Sequence, residues 1–168
     1  MTHSDFSVKS FFVNILKTDQ GAVLLRRTIT VQWDDCWQPL SANETNNVKS
    51  SLLGVLNNLV FGNVPINVVV TRKLVDAIAE LARRLLEDAA ELNAPNHVWP
   101  EILQFLFQCA QSEHVDVALN LILNCPSIFG PDHNKYGDNM RELLVQSMGE
   151  DKPMERRGLA VKVVCNLG

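Results

Sequence analysis

Two consecutive segments between residues 70 and 110 constrain this chain more than any others. The first, VTRKLVDAIAELARRLLEDA, sets Val70, Leu74, Val75, Ile78, Ala79, Leu81, Ala82, Leu85 and Leu86 at helical spacing. That is one broad apolar stripe with the charges on the other side. The second, VWPEILQFLFQCAQ, is apolar nearly all round: Trp99, Ile102, Leu103, Phe105, Leu106, Phe107, Cys109 and Ala110. A proline-marked turn separates them. A helix that is apolar on every side needs neighbours on more than one side, which a lone hairpin cannot supply and a stack of hairpins can. The expected fold class is therefore all-α, a HEAT-repeat, right-handed solenoid of about four antiparallel helical hairpins.

The punctuation agrees. The seven prolines (Pro39, Pro65, Pro95, Pro100, Pro126, Pro131 and Pro153) fall where helices should start or stop, because proline lacks the backbone N–H and clashes with the preceding turn. Between them the pattern predicts helices near 4–17, 21–34, 42–61, 67–88, 99–111, 114–124, 134–148 and 153–167. Paired, they form a single domain over 1–168 with hairpins at 4–34, 42–88, 99–124 and 134–167. An internal repeat supports the pairing. Arg72, Val75, Asp76 and Ala79 match Arg156, Leu159, Ala160 and Val163 at the same offsets, two units of about 42 residues apart. The intermediate copy falls near HVDVALNLIL and lacks the arginine.

Two β-branched runs, 28–33 and 66–70, carry strand propensity. Both are read as helix. The second runs straight into a strong helix, and the first would be a strand without a partner for its backbone groups. Trp33 and Trp37 are read as packing residues, as are Phe11, Phe12, Phe105 and Phe107. Helix 67–88 adds ion pairs at three- and four-residue spacing, Glu80 with Arg83 and Arg84, Arg83 with Glu87, and Arg84 with Asp88. Helix 134–148 has a single stripe of Tyr136, Met140, Leu143, Leu144 and Ser147, with Asp132 placed to cap it.

Composition then excludes function classes. The formal net charge is −4 and the 15 lysines and arginines are scattered, unlike the clustered basic surface a nucleic-acid binder needs. No apolar run approaches the roughly 20 residues of a membrane span. Cys36, Cys109, Cys125 and Cys165 form no C-x-x-C pair and read as buried, reduced thiols. His3, His97, His114 and His133 make no ligand spacing, so no metal is expected. Cys36 beside Asp34 and Asp35 is read as an inert thiol, since activated thiols sit in electropositive surroundings. No glycine-rich phosphate loop or catalytic constellation is present. The expectation is a protein without cofactor that is not an enzyme.

The stretches AVLLRR (22–27), RKLVDAIAELARRL (72–85), VWPEILQFLFQCA (98–110) and PSIFG (126–130) resemble the N-terminal HEAT repeats of the importin-beta superfamily, nearest the karyopherin beta-three branch. The similarity runs in order from about Ser7 onward. It implies a nuclear transport receptor working between cytoplasm and nucleus. Its implied partners are the Ran GTPase in its GTP form, protein cargo and nucleoporins. In that family the N-terminal repeats bind Ran through the second helices of the concave face. Helix 67–88 would be one of them, with Lys73, Asp76 and Glu80 facing the partner. The alternative is a HEAT-repeat adaptor that has lost transport. The chain departs from the family by its length, by a short 112–118 turn and by a long 87–97 loop, as a fragment or a shortened, diverged paralogue would.

Overall fold

A computed structural model describes residues 18–63, 65, 67–92 and 99–167. The expected helix 4–17, with Phe11 and Phe12, and the turn around Pro95 lie outside the described residues. Among the described residues the regular structure is entirely helical. It comprises α1 (Asp19–Val31), α2 (Trp33–Cys36), α3 (Ala42–Phe61), α4 (Val68–Leu92), α5 (Pro100–Ala110), α6 (Val115–Asn124), α7 (His133–Ser147) and α8 (Met154–Leu167), with a 3₁₀ turn at Gly130–Asp132. The fold class read from the hydrophobic pattern is the one observed. The chain divides into two compact units, residues 1–81 and 82–168.

In the first unit, α1 starts where the Thr18 hydroxyl accepts a hydrogen bond from the Gly21 amide at 3.1 Å. It stops at Val31, so the predicted helix 21–34 is broken. Gln32 leaves helical geometry (φ −118°, ψ 28°), and one short turn follows. That turn stacks Trp33 on Trp37, ring centroids 5.1 Å apart and nearly parallel, with both rings buried. The β-branched run therefore tolerates helix through Val31, and the break serves to turn two indoles into the same packed layer. Helix α3 opens with a full capping box. The Ser41 hydroxyl accepts from the Glu44 amide, and the Glu44 carboxylate accepts from the Ser41 amide at 2.8 Å. Its buried face is Leu52, Val55, Leu56 and Val60. Each such side chain contributes about 1.5–3 kcal/mol of burial.

Helix α4 begins one residue after Asn67, whose side-chain oxygen accepts from the Val70 amide at 3.2 Å. That cap explains why the β-branched run 68–70 is helix: the sequence supplies a start signal directly before it. The predicted stripe is buried from Val70 to Leu85, Leu86 alone being half-buried.

In the second unit, α5 and α6 form a hairpin closed by Ser112. Its hydroxyl donates to the Cys109 carbonyl at 2.9 Å and accepts from the His114 amide at 3.0 Å. Helix α5 is less uniformly apolar than predicted. Ile102, Phe105, Leu106 and Cys109 are buried, but Glu101, Gln104 and Gln108 line an exposed strip. Helices α7 and α8 make the next hairpin, and α8 packs along α6. Arg156 donates from Nε to Asp116 Oδ1 at 2.9 Å and from a terminal nitrogen to the Glu113 carbonyl at 3.0 Å. At the far end Asn166 donates to the Leu123 carbonyl at 3.4 Å. These bonds join residues 40 and 43 apart, the period expected from the internal repeat. The copy at 114–123, which lacks the arginine, is the helix that receives Arg156.

Two smaller readings need correction. Asp132 occupies the cap position of α7 but makes no capping hydrogen bond there; the 3₁₀ turn fixes that corner instead. Cys109 and Cys125 are buried thiols, whereas Cys36 and Cys165 are exposed, because each sits on the outward side of a helix carrying only one packed face.

Candidate protein-binding surfaces

The residues singled out by sequence lie on α4 in the first unit. Lys73 Nζ stands 2.5 Å from Asp19 Oδ1, and Asp76 lies 4.0 Å from Arg26. Both partners belong to α1, so Lys73 and Asp76 form a charged seam between α1 and α4. Their side chains keep 39% and 25% of their exposure. Glu80 is half-buried on the same helix. Farther along, Arg83 pairs with Glu87 as the spacing predicts.

A second surface lies wholly within the second unit, and the sequence did not single it out. It is a groove of about 1180 Å³ between the last turns of α4, the start of α5 and the corner at 127–136. Leu85, Leu86, Trp99 and Ile102 contribute to its apolar wall; Glu87, Gln104 and Asp132 bring polar groups to it. One end is an aromatic cluster. Tyr136 lies 5.1 Å from Phe107 and 5.5 Å from Phe129 between ring centroids, and Lys135 Nζ sits 5.2 Å above the Tyr136 ring. The corner holds its shape through Gly130, which has φ +52°. A Cβ there would lie 3.3 Å from Leu86 Cδ2, so the backbone approaches α4 more closely than a side chain easily allows.

Phe107, expected in the core, is only half-buried, because one side of its ring faces this groove. The signals were present but dispersed: Phe107 in an apolar helix, Phe129 in PSIFG, and Tyr136 as the first residue of the α7 stripe. Only the turn at Gly130 brings them together. Chemically, the groove offers apolar burial and ring contacts with a polar rim. That suits an inserted side chain of another protein. Among the described residues no group of three or more His, Cys, Asp or Glu could hold a metal ion. No helix of the described residues is long and apolar enough to cross a membrane.

The model of a family described as IPO5-like, TPR repeats matches residues 67–167, more than half of the chain. The chain belongs to that family. The match starts at Asn67, the cap of α4, and ends at Leu167, the last residue of α8, so it covers both hairpins of the second unit. This is an importin-type helical-repeat protein, as the resemblance implied. Family membership also accounts for the seam between α6 and α8, since in repeat proteins each hairpin buries its apolar face against the next.

Proposed function

We propose that this chain acts as a nuclear-transport-receptor-like module of the karyopherin beta-three branch. In this reading it binds Ran in its GTP form, protein cargo destined for the nucleus, or both, and works in cytoplasm and nucleus. The observation that supports it is the IPO5-like match over α4–α8. The mechanism is surface complementarity without chemistry: rigid hairpins hold polar and apolar side chains in fixed positions, and the partner is captured by burial. Lys73, Asp76 and Glu80 are the proposed partner-facing residues of α4. A pull-down of the chain with Ran in both nucleotide states tests this. Retention of the GTP form over the GDP form is expected; no retention, or none that depends on nucleotide, overturns the Ran assignment.

One observation favours a second reading, an adaptor that has lost transport. Lys73 and Asp76 already meet Asp19 and Arg26 of α1, whereas the groove beside Tyr136 is apolar and open. An import assay in permeabilised cells separates the two. A receptor accumulates cargo in nuclei; an adaptor binds its partner and accumulates nothing.

A further inference from the structure

Helix α8 commits one side to the second unit. Ala160 and Val163 are fully buried, and Arg156, Leu159 and Leu167 are half-buried. The opposite side carries Met154, Gly158, Val161 and Cys165, a stripe with alternating four- and three-residue steps. Met154 is 84% exposed and Val161 50%, and Cys165 is exposed. A Cβ added at Gly158 would meet nothing within 4 Å. Glu155 and Lys162 flank the stripe on one edge, Arg157 and Val164 on the other, and all four are exposed.

This face is complementary to itself. Large and small residues alternate along it, and an antiparallel pairing of two copies matches them. Gly158 then meets Val161 of the second copy, and Met154 meets Cys165 of the second copy. Each small residue receives a large one, as packed helix layers require. A twofold axis of this kind keeps each edge on its own side. Glu155 therefore falls within one helical turn of Lys162 of the second copy, and symmetry repeats the pair. A parallel pairing would set Gly158 against Gly158, which leaves a void, and would carry Glu155 to the Arg157 edge of the second copy, away from Lys162.

We propose that α8 is a homodimerisation helix, pairing antiparallel with α8 of a second copy through Met154, Gly158, Val161 and Cys165, with Glu155 and Lys162 fixing the register. The contact spans one short helix per copy, so the dimer belongs to the weak, reversible class. Its existence is independent of Ran binding.

Sedimentation equilibrium of the 168-residue chain, up to about 1 mM, is the test. A reversible monomer–dimer equilibrium is expected, abolished by Val161→Asp. Glu155→Lys and Lys162→Glu each weaken it roughly tenfold by turning two attractions into two repulsions, and the double reversal restores it. All three positions are exposed, so circular dichroism of each variant stays that of the parent. Direction is read separately. On a Cys36→Ser background, Met154→Cys with oxidised glutathione gives a disulfide-linked dimer through the native Cys165, and adding Cys165→Ser abolishes it. A chain that stays monomeric overturns the proposal. So do a dimer indifferent to Val161→Asp, charge reversals without rescue, and cross-linking that does not need Cys165.

Discussion

Arg156 is the side chain on which the seam between α6 and α8 can be tested most sharply. It makes two hydrogen bonds across 40 and 43 residues, to Asp116 Oδ1 at 2.9 Å and to the Glu113 carbonyl at 3.0 Å. The arginine side chain is 19% exposed and the aspartate 52%. A half-exposed carboxylate is screened by solvent, so the ion pair contributes about 0.5–1 kcal/mol. The bond to the carbonyl adds about 1 kcal/mol. Arg156→Ala is therefore expected to cost about 1.5–2 kcal/mol, and Asp116→Ala about 0.5–1 kcal/mol. In a double-mutant cycle the two couple by about 0.5–1 kcal/mol, because one bond is counted in both. Arg156→Lys recovers only part, since an ammonium cannot hold both acceptors in the guanidinium's fixed geometry. The assay is urea unfolding of the four chains of the cycle, followed by circular dichroism. A loss below about 0.5 kcal/mol for Arg156→Ala, or additive single losses, would refute the seam as described.

Three further outcomes follow from the same structure. Gly130→Ala should cost about 1–2 kcal/mol in thermal unfolding, because φ +52° is left-handed and the new Cβ crowds Leu86; Gly130→Asn should cost less. Burial pushes the Cys109 thiol from 9.0 up to about 12. The fold thus favours the neutral thiol. Its contribution is full below pH 9.0 and is lost as pH rises toward about 12, and at about pH 8 a thiol reagent should reach Cys36 and Cys165 long before Cys109 or Cys125. Hydrogen bonds from the Ser41 amide and then the Ser41 hydroxyl hold the Glu44 carboxyl below its ordinary 4.5. The stability this lends α3 is present above 4.5 and lost as pH falls through the lowered value, so Glu44→Gln should flatten the acid limb of a stability–pH curve.

What the sequence made legible was periodic. The α4 stripe, the limits of α3 and the two hairpins of the second unit follow from apolar spacing and from prolines, which act within a few residues. Asn67 shows a local signal overlooked: its side chain starts α4 and makes helix of a run with strand propensity. Gln32 shows the opposite case. Nothing in its own chemistry ends a helix; the break comes with the stacking of Trp33 on Trp37 in the turn that follows, both indoles being buried. The groove was illegible for a similar reason. Phe107, Phe129 and Tyr136 come from three separate segments, and a backbone turn at Gly130 is what unites them. The α4 charges were visible as a polar stripe, but spacing alone could not reveal that Asp19 and Arg26 stand opposite Lys73 and Asp76.

Far-ultraviolet circular dichroism of the 168-residue chain bears most directly on the architecture, since every reading above rests on stacked helical hairpins. A strong helical double minimum with no sheet component is expected. A substantial strand signal from a folded, cooperatively melting sample would contradict the stack, and with it the grooves, seams and partner faces assigned to it.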